Sequence, residues 1–441
     1  MLRLYSFLFT ILIPLLWVRT WIKQTRSKHL IHYSQKGRLK ERFAIYKHSS
    51  KDLNPLWIHT VSVGEFLAIR PLIDEFLTQQ SNLHLLLTCT TLTGSEQILN
   101  HYHKHERIQH VYLPWDQPHL MNRFYCHFKP QLGLIMETEI WPNLLVSAKK
   151  YHCSVWLINA RLSEKSANGY RRFVKFSQYI INLFSKVCVQ NAIDGERFIQ
   201  LGLHADKMLI TGNIKFDLNI DNLAPHPVLQ KTQLNWQNKI VLIASSTHEG
   251  EDSLMLETFS ELKKLHDQLV LIIVPRHPER FNQVAQLAST YDQFCVARRS
   301  DIKNKMFDNC DILIGDSMGE MMAYYQLADI VIMGGSFINR GGHNLLEPAA
   351  LGKAIIVGPY MFNFQQITDL FINEKACLQI NTAETSQLSL HLIKEINNLI
   401  VDNTKIELLS QQAQTLITKN QGVKDNLYQL IIASLSPKNF S

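Results

Sequence analysis

The chain has 441 residues, 46% of them hydrophobic and 19% charged, a globular composition that excludes a disordered or collagen-like protein. Its length predicts two domains of about 200 residues each. The net charge of +7 comes from one short segment, because residues 19–51 carry ten Lys or Arg and a single acid, Glu41. The rest of the chain is slightly acidic, so no nucleic acid is expected among its partners.

The first fifty residues combine an apolar run with this basic segment. Residues 4–18 are uncharged, and as a helix they cover about 22 Å, less than the roughly 30 Å hydrocarbon core of a bilayer. Three interpretations stay open: a signal peptide, disfavoured because no alanine precedes Ala44, a spanning helix, and a helix that enters one leaflet. The basic residues that follow favour attachment at the cytoplasmic face, although a solvated polar linker can have the same composition.

From residue 57 onward, short apolar runs alternate with amphipathic stretches, and this pattern predicts parallel, doubly wound α/β sheets. The strands predicted for the first half are residues 56–61, 83–89, 132–136, 155–158, 187–190 and 208–211. Those predicted for the second half are residues 240–244, 270–274, 311–314, 330–333 and 354–357. The last stretch, roughly 388–435, is predicted to be helical.

The same pass along the chain predicts its domain organisation. Residues 1–50 are a membrane anchor with a basic collar, and residues 51–220 are a first Rossmann-like domain. Residues 221–238, with two prolines and many Asn, are a linker. Residues 239–441 are a second Rossmann-like domain with the C-terminal helices. Two such halves are expected to face a cleft, with ligands beyond the carboxyl ends of the strands.

Charged residues follow the predicted strands of the first half. Glu65 follows the first strand in Ser-Val-Gly-Glu and is a candidate general base, or else a helix cap. Glu137 and Glu139 follow the strand that ends at Met136, again as functional carboxylates or caps. Lys215 follows the last strand and is placed to stabilise a leaving phosphate, unless it is a surface lysine paired with Asp217.

The second half carries a basic loop and glycine clusters after its strands. Arg276, between two prolines, suits bidentate binding of a phosphate or carboxylate, with a solvated loop as the alternative. Glycines at 319, 334–335 and 341–342 fall in strand-to-helix connections, whose amides cradle phosphate, or which are simply tight turns. Glu347, near a helix start, is a candidate acceptor of hydrogen bonds from ribose.

Several familiar sites have no counterpart in the sequence. No dinucleotide-binding glycine fingerprint fits the strand ends, and no phosphate-binding P-loop or Asp-x-Asp pair occurs, so no cofactor and no metal are expected. Alternate histidines at 101, 103 and 105 read as a solvated loop rather than a metal site. Seven cysteines without a C-x-x-C pair favour buried thiols in a reducing compartment.

Taken together and in order, these motifs resemble the Kdo (3-deoxy-D-manno-octulosonic acid) transferases of Gram-negative bacteria, nearly end to end. The motifs that carry the resemblance are Ser62–Glu65, Glu137–Asn143, Asn159–Ser163, Gly212–Asp217, Ser246–Glu251, Pro275–Phe281, Gly315–Glu320 and Gly334–Gly352. The resemblance implies an inverting GT-B glycosyltransferase, with CMP-Kdo as donor and a lipid A precursor as acceptor, at the cytoplasmic side of the inner membrane.

The resemblance also implies roles for single residues. Glu65 corresponds to the general base of the family, and Glu137 and Lys215 correspond to residues that stabilise the transition state. The implied CMP-Kdo contacts are Pro275, Arg276, Met318, Gly319, Glu320, Asn344, Leu345, Leu346 and Glu347. Two alternatives stay open, namely a GT-B transferase with another donor and a non-catalytic, membrane-tethered nucleotide-binding protein. The sequence does not fix the number of Kdo residues added.

Overall fold

The computed structural model describes residues 1–26, 38–46, 54–218, 220, 224–302, 310–382 and 384–435. It divides into two compact units, the first formed by Met1–Asp217 and Gly422–Ser441 and the second by Leu218–Gln421. Each unit is a parallel sheet covered by helices on both faces, as expected of strands that are apolar along their whole length.

The described part of the first unit contains a seven-stranded parallel sheet with the order β3-β2-β1-β4-β5-β6-β7. Its strands are β1 (Leu56–Thr60), β2 (Leu85–Cys89), β3 (Ile108–Tyr112), β4 (Leu132–Met136), β5 (Ser154–Ala160), β6 (Lys186–Val189) and β7 (Met208–Ile210). Its helices up to β7 are α1 (Leu2–Arg26), α2 (Val63–Gln79), α3 (Leu92–Tyr102), α4 (Pro118–Phe128), α5 (Pro142–Lys150), α6 (Glu164–Arg171), α7 (Val174–Ile181) and α8 (Ala192–Gln200).

The second unit repeats this architecture with the strand order β10-β11-β9-β8-β12-β13-β14. Its strands are β8 (Ile240–Thr247), β9 (Leu269–Pro275), β10 (Val296–Arg298), β11 (Ile312–Ile314), β12 (Ile330–Met333), β13 (Ala354–Val357) and β14 (Leu378–Gln379). Its helices are α9 (Glu251–Lys263), α10 (Phe281–Ala288), α11 (Met321–Leu327), α12 (Leu346–Ala350), α13 (Gln365–Asn373), α14 (Thr385–Val401) and α15 (Asn403–Asn420).

The strands predicted from the sequence are all present, within a few residues at their ends. Three strands were missed, namely β3, β10 and β14. These lie at sheet edges, where a strand is short or partly polar because only one neighbour pairs with it. The prediction of two parallel, doubly wound α/β domains is confirmed.

The C-terminal helix α16 (Val423–Leu435) corrects the predicted domain organisation, since it belongs to the first unit and not the second. The Tyr428 ring packs 5.3 Å from that of Phe76 on α2, and the Tyr428 hydroxyl accepts a hydrogen bond from Gln80. The backbone N–H of Gly422 donates to Asp217 at 2.7 Å. A helix shows its own apolar face in the sequence, but not which sheet covers that face.

The predicted linker is only partly a linker. Positions 221–223 lie outside the described residues, and the second unit begins at Leu218. Farther along, Trp236 is buried and its indole N–H donates to the carbonyl of Cys310 at 3.1 Å. Leu229 and Leu234 are buried as well. Residues 224–238 are therefore part of the second unit's packing.

The predicted basic collar is likewise partly built into the first unit. Arg42 is 4% exposed and donates to the carbonyls of Leu113 and Thr90. Arg38 forms a bidentate pair with Glu41, at 3.0 Å for each bond. These two arginines hold a turn of 3-10 helix, Arg38–Phe43, against the sheet. Positions 28, 36, 47 and 51 of the collar lie outside the described residues.

The N-terminal helix α1 rests on the first unit by one side. Tyr5 donates to Asp116 at 2.9 Å, Ser6 donates to Asn143 at 3.0 Å, and Phe9 packs edge-on against Trp141. Other apolar side chains of α1 are exposed, namely Leu4, Phe7, Leu8, Ile11, Leu12, Leu15 and Val18. Within the described part of the chain, no helix has both the length and the hydropathy to cross a membrane.

Close packing of the first sheet depends on a glycine in β4. A Cβ atom on Gly133 would lie 2.6 Å from Cε3 of Trp57, a fully buried ring whose indole N–H bonds to Thr88. We therefore expect Gly133→Ala to lower the free energy of unfolding by about 1–3 kcal/mol, the usual cost of overpacking a core. Thermal unfolding followed by circular dichroism measures the change.

Gly169→Ala is the matched control, because a Cβ there meets no atom within 4 Å and Gly169 lies inside helix α6. That substitution should leave stability unchanged or raise it slightly. Equal melting temperatures for the two variants would show that Trp57 has room to move.

Candidate active site

The carboxyl edge of the first sheet brings four charged side chains into one region. Glu65 follows β1, Glu137 follows β4, Arg161 follows β5 and Lys215 follows β7. Parallel strands all end at the same edge, so residues far apart in the sequence converge there. Three of these residues were predicted from the sequence. Arg161 was quoted only as part of a motif and was missed as a site residue.

Glu137 is the centre of this group. Its side chain is 8% exposed, and it binds Lys215 Nζ through Oε1 at 2.6 Å and Arg161 Nε through Oε2 at 2.9 Å. A buried carboxylate requires such partners, because burial of an unpaired charge is costly. Lys215 thus pairs with Glu137 and not with Asp217, which was the alternative left open by the sequence.

The backbone around this group is held in unusual conformations. Glu137 has φ of 58° and its N–H donates to the carbonyl of Ile158 at 3.0 Å. Asn159, in the neighbouring strand, has φ of 50° and its side chain accepts from the N–H of Ile214. Left-handed backbone in residues other than glycine costs energy and is concentrated at functional sites. The strain here sits beside Arg161 and Lys215.

Glu65 caps helix α2 and also lies near the other carboxylates. Its Oε2 accepts from the N–H of Val61 at 2.8 Å, its Oε1 from the hydroxyl of Ser62 at 3.2 Å, and its own N–H donates to Ser62. This is a variant of the capping box, in which the carboxylate accepts from the N–H of Val61, one residue before the N-cap Ser62. The capping role that the sequence left open is therefore present.

Burial raises the pKa of Glu65 to about 7, and the negative charges of Glu137 and Glu139 add to the rise. The hydrogen bonds from Val61 and Ser62 oppose it. At neutral pH Glu65 is therefore only partly ionised, unlike an exposed glutamate. A carboxylate with a pKa near 7 exchanges protons readily at neutral pH, which suits general acid–base chemistry.

A cavity of about 570 Å³ in the first unit opens beside Glu139. Aromatic and aliphatic side chains dominate its wall, and Glu139 contributes a carboxylate at one side. The lining includes Tyr5 of α1, Trp141, Tyr170, Phe173 and Phe176. Such a cavity suits a ligand that is mostly apolar and carries a polar group close to Glu139.

In the second unit, the loop after β9 presents Arg276. The backbone N–H of Arg276 donates to the carbonyl of Thr247, and its side chain is exposed. Arg280, four residues on, is fixed by Asp252 and by the carbonyl of Thr247 at 3.0 Å. Pro275 is the last residue of β9 and lies buried. Of the two arginines, Arg276 is the one whose guanidinium remains available to a ligand.

The predicted contacts at 318–320 are arranged differently from one another. Met318 is 63% exposed, and Gly319, with φ of 81°, has open space at its Cβ position. Glu320 is engaged, since its carboxylate lies 2.9 Å from Nε2 of His226 and accepts from Arg299 at 2.8 Å. Burial acts to raise the pKa of Glu320, but hydrogen bonds from Ser317 and Arg299 outweigh it and the pKa is lowered.

The predicted contacts at 344–347 separate into a polar pair and a buried pair. Asn344 donates to Glu347 at 3.3 Å, and burial raises the pKa of Glu347 although that bond opposes the rise. Leu345 and Leu346 have no exposed surface and belong to the core. Neither residue therefore presents surface to a ligand in this structure.

Glu251 is the second functional residue that the sequence analysis missed. It fixes the loop that follows β12 and contains Gly334 and Gly335, called the glycine loop below. Its carboxylate accepts from the N–H groups of His248 at 2.9 Å, Gly335 at 2.7 Å and Phe337 at 3.0 Å. Its acidic position at the start of α9 was the available signal, because a carboxylate there meets free backbone N–H groups.

No cluster of three or more His, Cys, Asp or Glu within the described ranges is arranged to hold a metal ion. His101 and His103, in the predicted solvated loop, lie at the end of α3, and Nδ1 of each ring lies within hydrogen-bond distance of a carbonyl of that helix.

Comparisons with known proteins identify what the chain is similar to. Residues 37–218 match the family model described as 3-deoxy-D-manno-octulosonic-acid transferase (kdotransferase). A 3-deoxy-D-manno-octulosonic acid transferase of Haemophilus influenzae is 35% identical over 399 residues, covering 89% of this chain and 90% of the relative. The Rickettsia bellii enzyme of the same name is 32% identical over 433 residues, or 98% and 99% of the two chains.

The fold has solved counterparts as well. A glycosyltransferase from Rickettsia africae superposes with a TM-score of 0.54 at 14% identity, covering 87% of this chain and all of the other. At that identity the likeness shows the fold alone. It is the fold of two parallel-sheet α/β domains that GT-B glycosyltransferases share.

Proposed function

This chain belongs to the family of 3-deoxy-D-manno-octulosonic acid (Kdo) transferases and is a glycosyltransferase, and we propose that it moves Kdo from CMP-Kdo to a lipid A precursor with inversion. The observation that carries the proposal is the group formed by Glu65, Glu137, Arg161 and Lys215 at one sheet edge. Such a group supplies one base and two cations, which is what a single displacement at an anomeric carbon requires.

The proposed step is a direct displacement. A hydroxyl oxygen of the acceptor forms a bond to the anomeric carbon of Kdo, and the bond from that carbon to the phosphate oxygen breaks. CMP leaves with the electron pair, and the hydroxyl proton passes to Glu65. One displacement inverts the anomeric centre. Lys215 and Arg161, held in place by Glu137, stabilise the negative charge that develops.

The acceptor is proposed to be a lipid on the basis of the cavity beside Glu139. Its wall is mainly apolar and aromatic, and α1 contributes Tyr5 to it. Near it, Phe173 and Val174 are exposed at the start of α7, next to the exposed basic residues Arg171, Arg172 and Lys175. Aromatic and basic side chains together suit the headgroup region of an anionic membrane.

The donor is proposed to bind the second unit. Arg276 offers an exposed guanidinium, in the same unit as the glycine loop whose Gly335 and Phe337 N–H groups are bound by Glu251. CMP carries one phosphate, and the guanidinium of Arg276 suits its bidentate binding without a metal. Glu347 is the proposed partner of the ribose hydroxyls.

Mass spectrometry of the lipid formed from a lipid A precursor tests the overall reaction. With CMP-Kdo as donor, the product should gain the mass of one or more Kdo residues. Transfer from a UDP-sugar and not from CMP-Kdo would instead support a GT-B enzyme with another donor.

The role of Glu65 is tested by Glu65→Gln. Gln can still accept from the N–H of Val61 through its single oxygen, while its NH2 group can donate to the hydroxyl of Ser62, so the cap and the stability of the protein should largely be kept. It cannot take a proton from the acceptor, so turnover should fall by about 10²–10⁴-fold while CMP affinity stays the same. Steady-state kinetics and calorimetric titration with CMP measure the two quantities.

Glu137→Gln is the comparison variant for this experiment. It also should slow the reaction, because Lys215 and Arg161 lose their shared anion. Suppose that Glu65→Gln is folded and has normal turnover while Glu137→Gln is inactive. That result would show that Glu65 is not the base and would favour Glu137 for the role.

The raised pKa of Glu65 predicts how the rate depends on pH. The base acts only when ionised, so kcat/KM for the acceptor, at saturating donor, should fall as pH drops below about 7 and level off above it. Glu139→Gln removes a negative charge that raises this pKa, so the midpoint should move to lower pH. A wild-type midpoint near 4.5, the ordinary value, would argue against Glu65 as the titrating group.

We further propose that α1 attaches the enzyme to the cytoplasmic face of the inner membrane by lying in the interface. Replacing Phe7, Leu8, Ile11 and Leu15 by Gln removes exposed apolar side chains and spares the contacts of Tyr5, Ser6 and Phe9. Co-sedimentation with anionic vesicles should weaken by more than about tenfold, because each buried apolar side chain contributes roughly 1.5–3 kcal/mol.

The matched control replaces four exposed apolar residues of the second unit, Leu265, Leu390, Val401 and Leu408, by Gln. That variant should sediment like the wild type. Unchanged sedimentation of the α1 variant would move the attachment to the basic and aromatic residues around Phe173.

A further inference from the structure

Three histidines that the sequence did not single out meet at the carboxyl edge of the second sheet. His248 follows β8, His277 follows β9 and His343 lies in the loop that precedes α12. The Nε2 atoms of His248 and His343 are 3.0 Å apart, and their rings are stacked with centroids 5.2 Å apart and planes 9° apart. The ring of His277 lies 5.4 Å from that of His248.

The contact between His248 and His343 defines their protonation. A hydrogen bond between two imidazole nitrogens needs one donor and one acceptor, so the pair holds a proton at one nitrogen and a lone pair at the other. Two imidazolium rings at this distance would repel each other. With the pKa of both rings lowered, the pair is neutral near pH 7, and a single added proton still leaves one donor and one acceptor between the rings.

The surroundings of the pair are basic. Burial lowers the pKa of His343 to about 4, and the charges of Arg276, His248 and His277 act in the same direction. Burial also lowers the pKa of His248, with help from His277, Arg340, Arg280 and Arg276.

The neighbouring acids on α9 are already engaged. Glu251 accepts from three backbone N–H groups, and Asp252 binds Arg280 and the hydroxyl of Thr247. Glu251 and Asp252 are therefore not free to balance the basic groups around the pair, and Glu249, beside His248, is exposed to solvent. A bound anion would relieve the repulsion among those basic groups.

A glycine leaves the pair accessible. Gly335 has φ of 68°, and a Cβ there would lie 3.2 Å from Nε2 of His343 and 3.5 Å from Cδ2 of His248. The N–H of Gly335 is bound by Glu251, so the loop is fixed with its side-chain position empty. An incoming anionic group thus meets imidazole edges rather than a side chain.

We propose that His248 and His343, together with Arg276, form an anion subsite that takes up a proton when the glycosyl donor binds. This inference rests on the proposed function, since it assigns the anion to the donor. A CMP-linked sugar acid carries a phosphate and a carboxylate, and the chemistry that the subsite recognises is common to both. An anion beside the pair favours the imidazolium form, so binding draws in a proton and weakens as pH rises.

Calorimetric titration of the full-length protein tests this. CMP is titrated near pH 6.5 in two buffers of different ionisation enthalpy, which gives the number of protons taken up on binding. If the subsite holds the phosphate, the wild type should take up more protons than the His343→Gln and His248→Gln variants, in which CMP itself ionises in the same way. Those variants should also bind CMP about tenfold or more weakly, the loss of one charge-assisted hydrogen bond. His391→Gln, an exposed histidine on α14, should behave like the wild type.

Two further arms identify the anion. If the subsite holds the phosphate, the variants bind CMP hardly better than cytidine, as Arg276→Ala should also do. If it holds the carboxylate, the variants keep their CMP affinity, but KM for CMP-Kdo rises and no longer increases with pH. Either result supports the subsite.

The proposal is overturned if wild-type CMP binding takes up no proton, KM for CMP-Kdo does not change with pH, and both variants match the wild type. That result leaves the proposed function intact, because CMP binding and Kdo transfer would be normal. A wild-type protein that binds CMP in neither buffer and transfers no Kdo would contradict the proposed function itself. The wild-type proton count does not depend on the folding of any variant.

Discussion

A buried carboxylate, that of Glu137, determines how the chemically active edge of the first unit is built. It draws Lys215 and Arg161 to itself from two other strand ends, and it does so from a residue whose backbone is left-handed. An unpaired charge at that depth would be too costly, so the three residues constrain one another. Their combined charge is positive, which prepares this edge for negative charge.

The second unit also contains a buried carboxylate that needs partners, that of Glu251. There a buried carboxylate binds three backbone N–H groups instead of two cations, and it fixes a glycine loop. A buried carboxylate thus shapes the carboxyl edge of each sheet in a different way. In the first unit the anion orders side chains that carry charge, whereas in the second it orders backbone and leaves Arg276 and the imidazole pair free to act on a ligand.

Most of the sheet architecture was predictable because the central parallel strands are apolar on both faces and are bounded by turn residues. The positions of Glu65, Glu137 and Lys215 at strand ends followed from that pattern. What the sequence could not supply was pairing across the fold. It did not indicate that Lys215 would choose Glu137 over Asp217, that Arg42 would be buried, or that α16 would pack on α2.

The pKa of Glu65 could not be predicted for the same reason, because it depends on residues that are distant in the sequence. Gly64 and the strand end predicted its location, but its proton affinity depends on burial and on carboxylates more than seventy positions away. Likewise, no local motif joins His248 to His343, which are 95 positions apart. Local sequence patterns predict which side chains lie at the end of a strand. Their pKa values depend on neighbours that only the folded sheet brings together.

The two proposed roles have opposite proton requirements. Glu65 acts as a base only after losing a proton, whereas the imidazole pair binds an anion better after gaining one. With burial raising the pKa of Glu65 to about 7, its ionised fraction grows over the pH range in which protonation of the pair becomes harder. At low donor concentration the rate should therefore pass through a maximum with pH. At saturating donor, mass action keeps the enzyme in its donor-bound form at every pH. The fall in rate at high pH should then disappear, and only the rise caused by ionisation of Glu65 should remain.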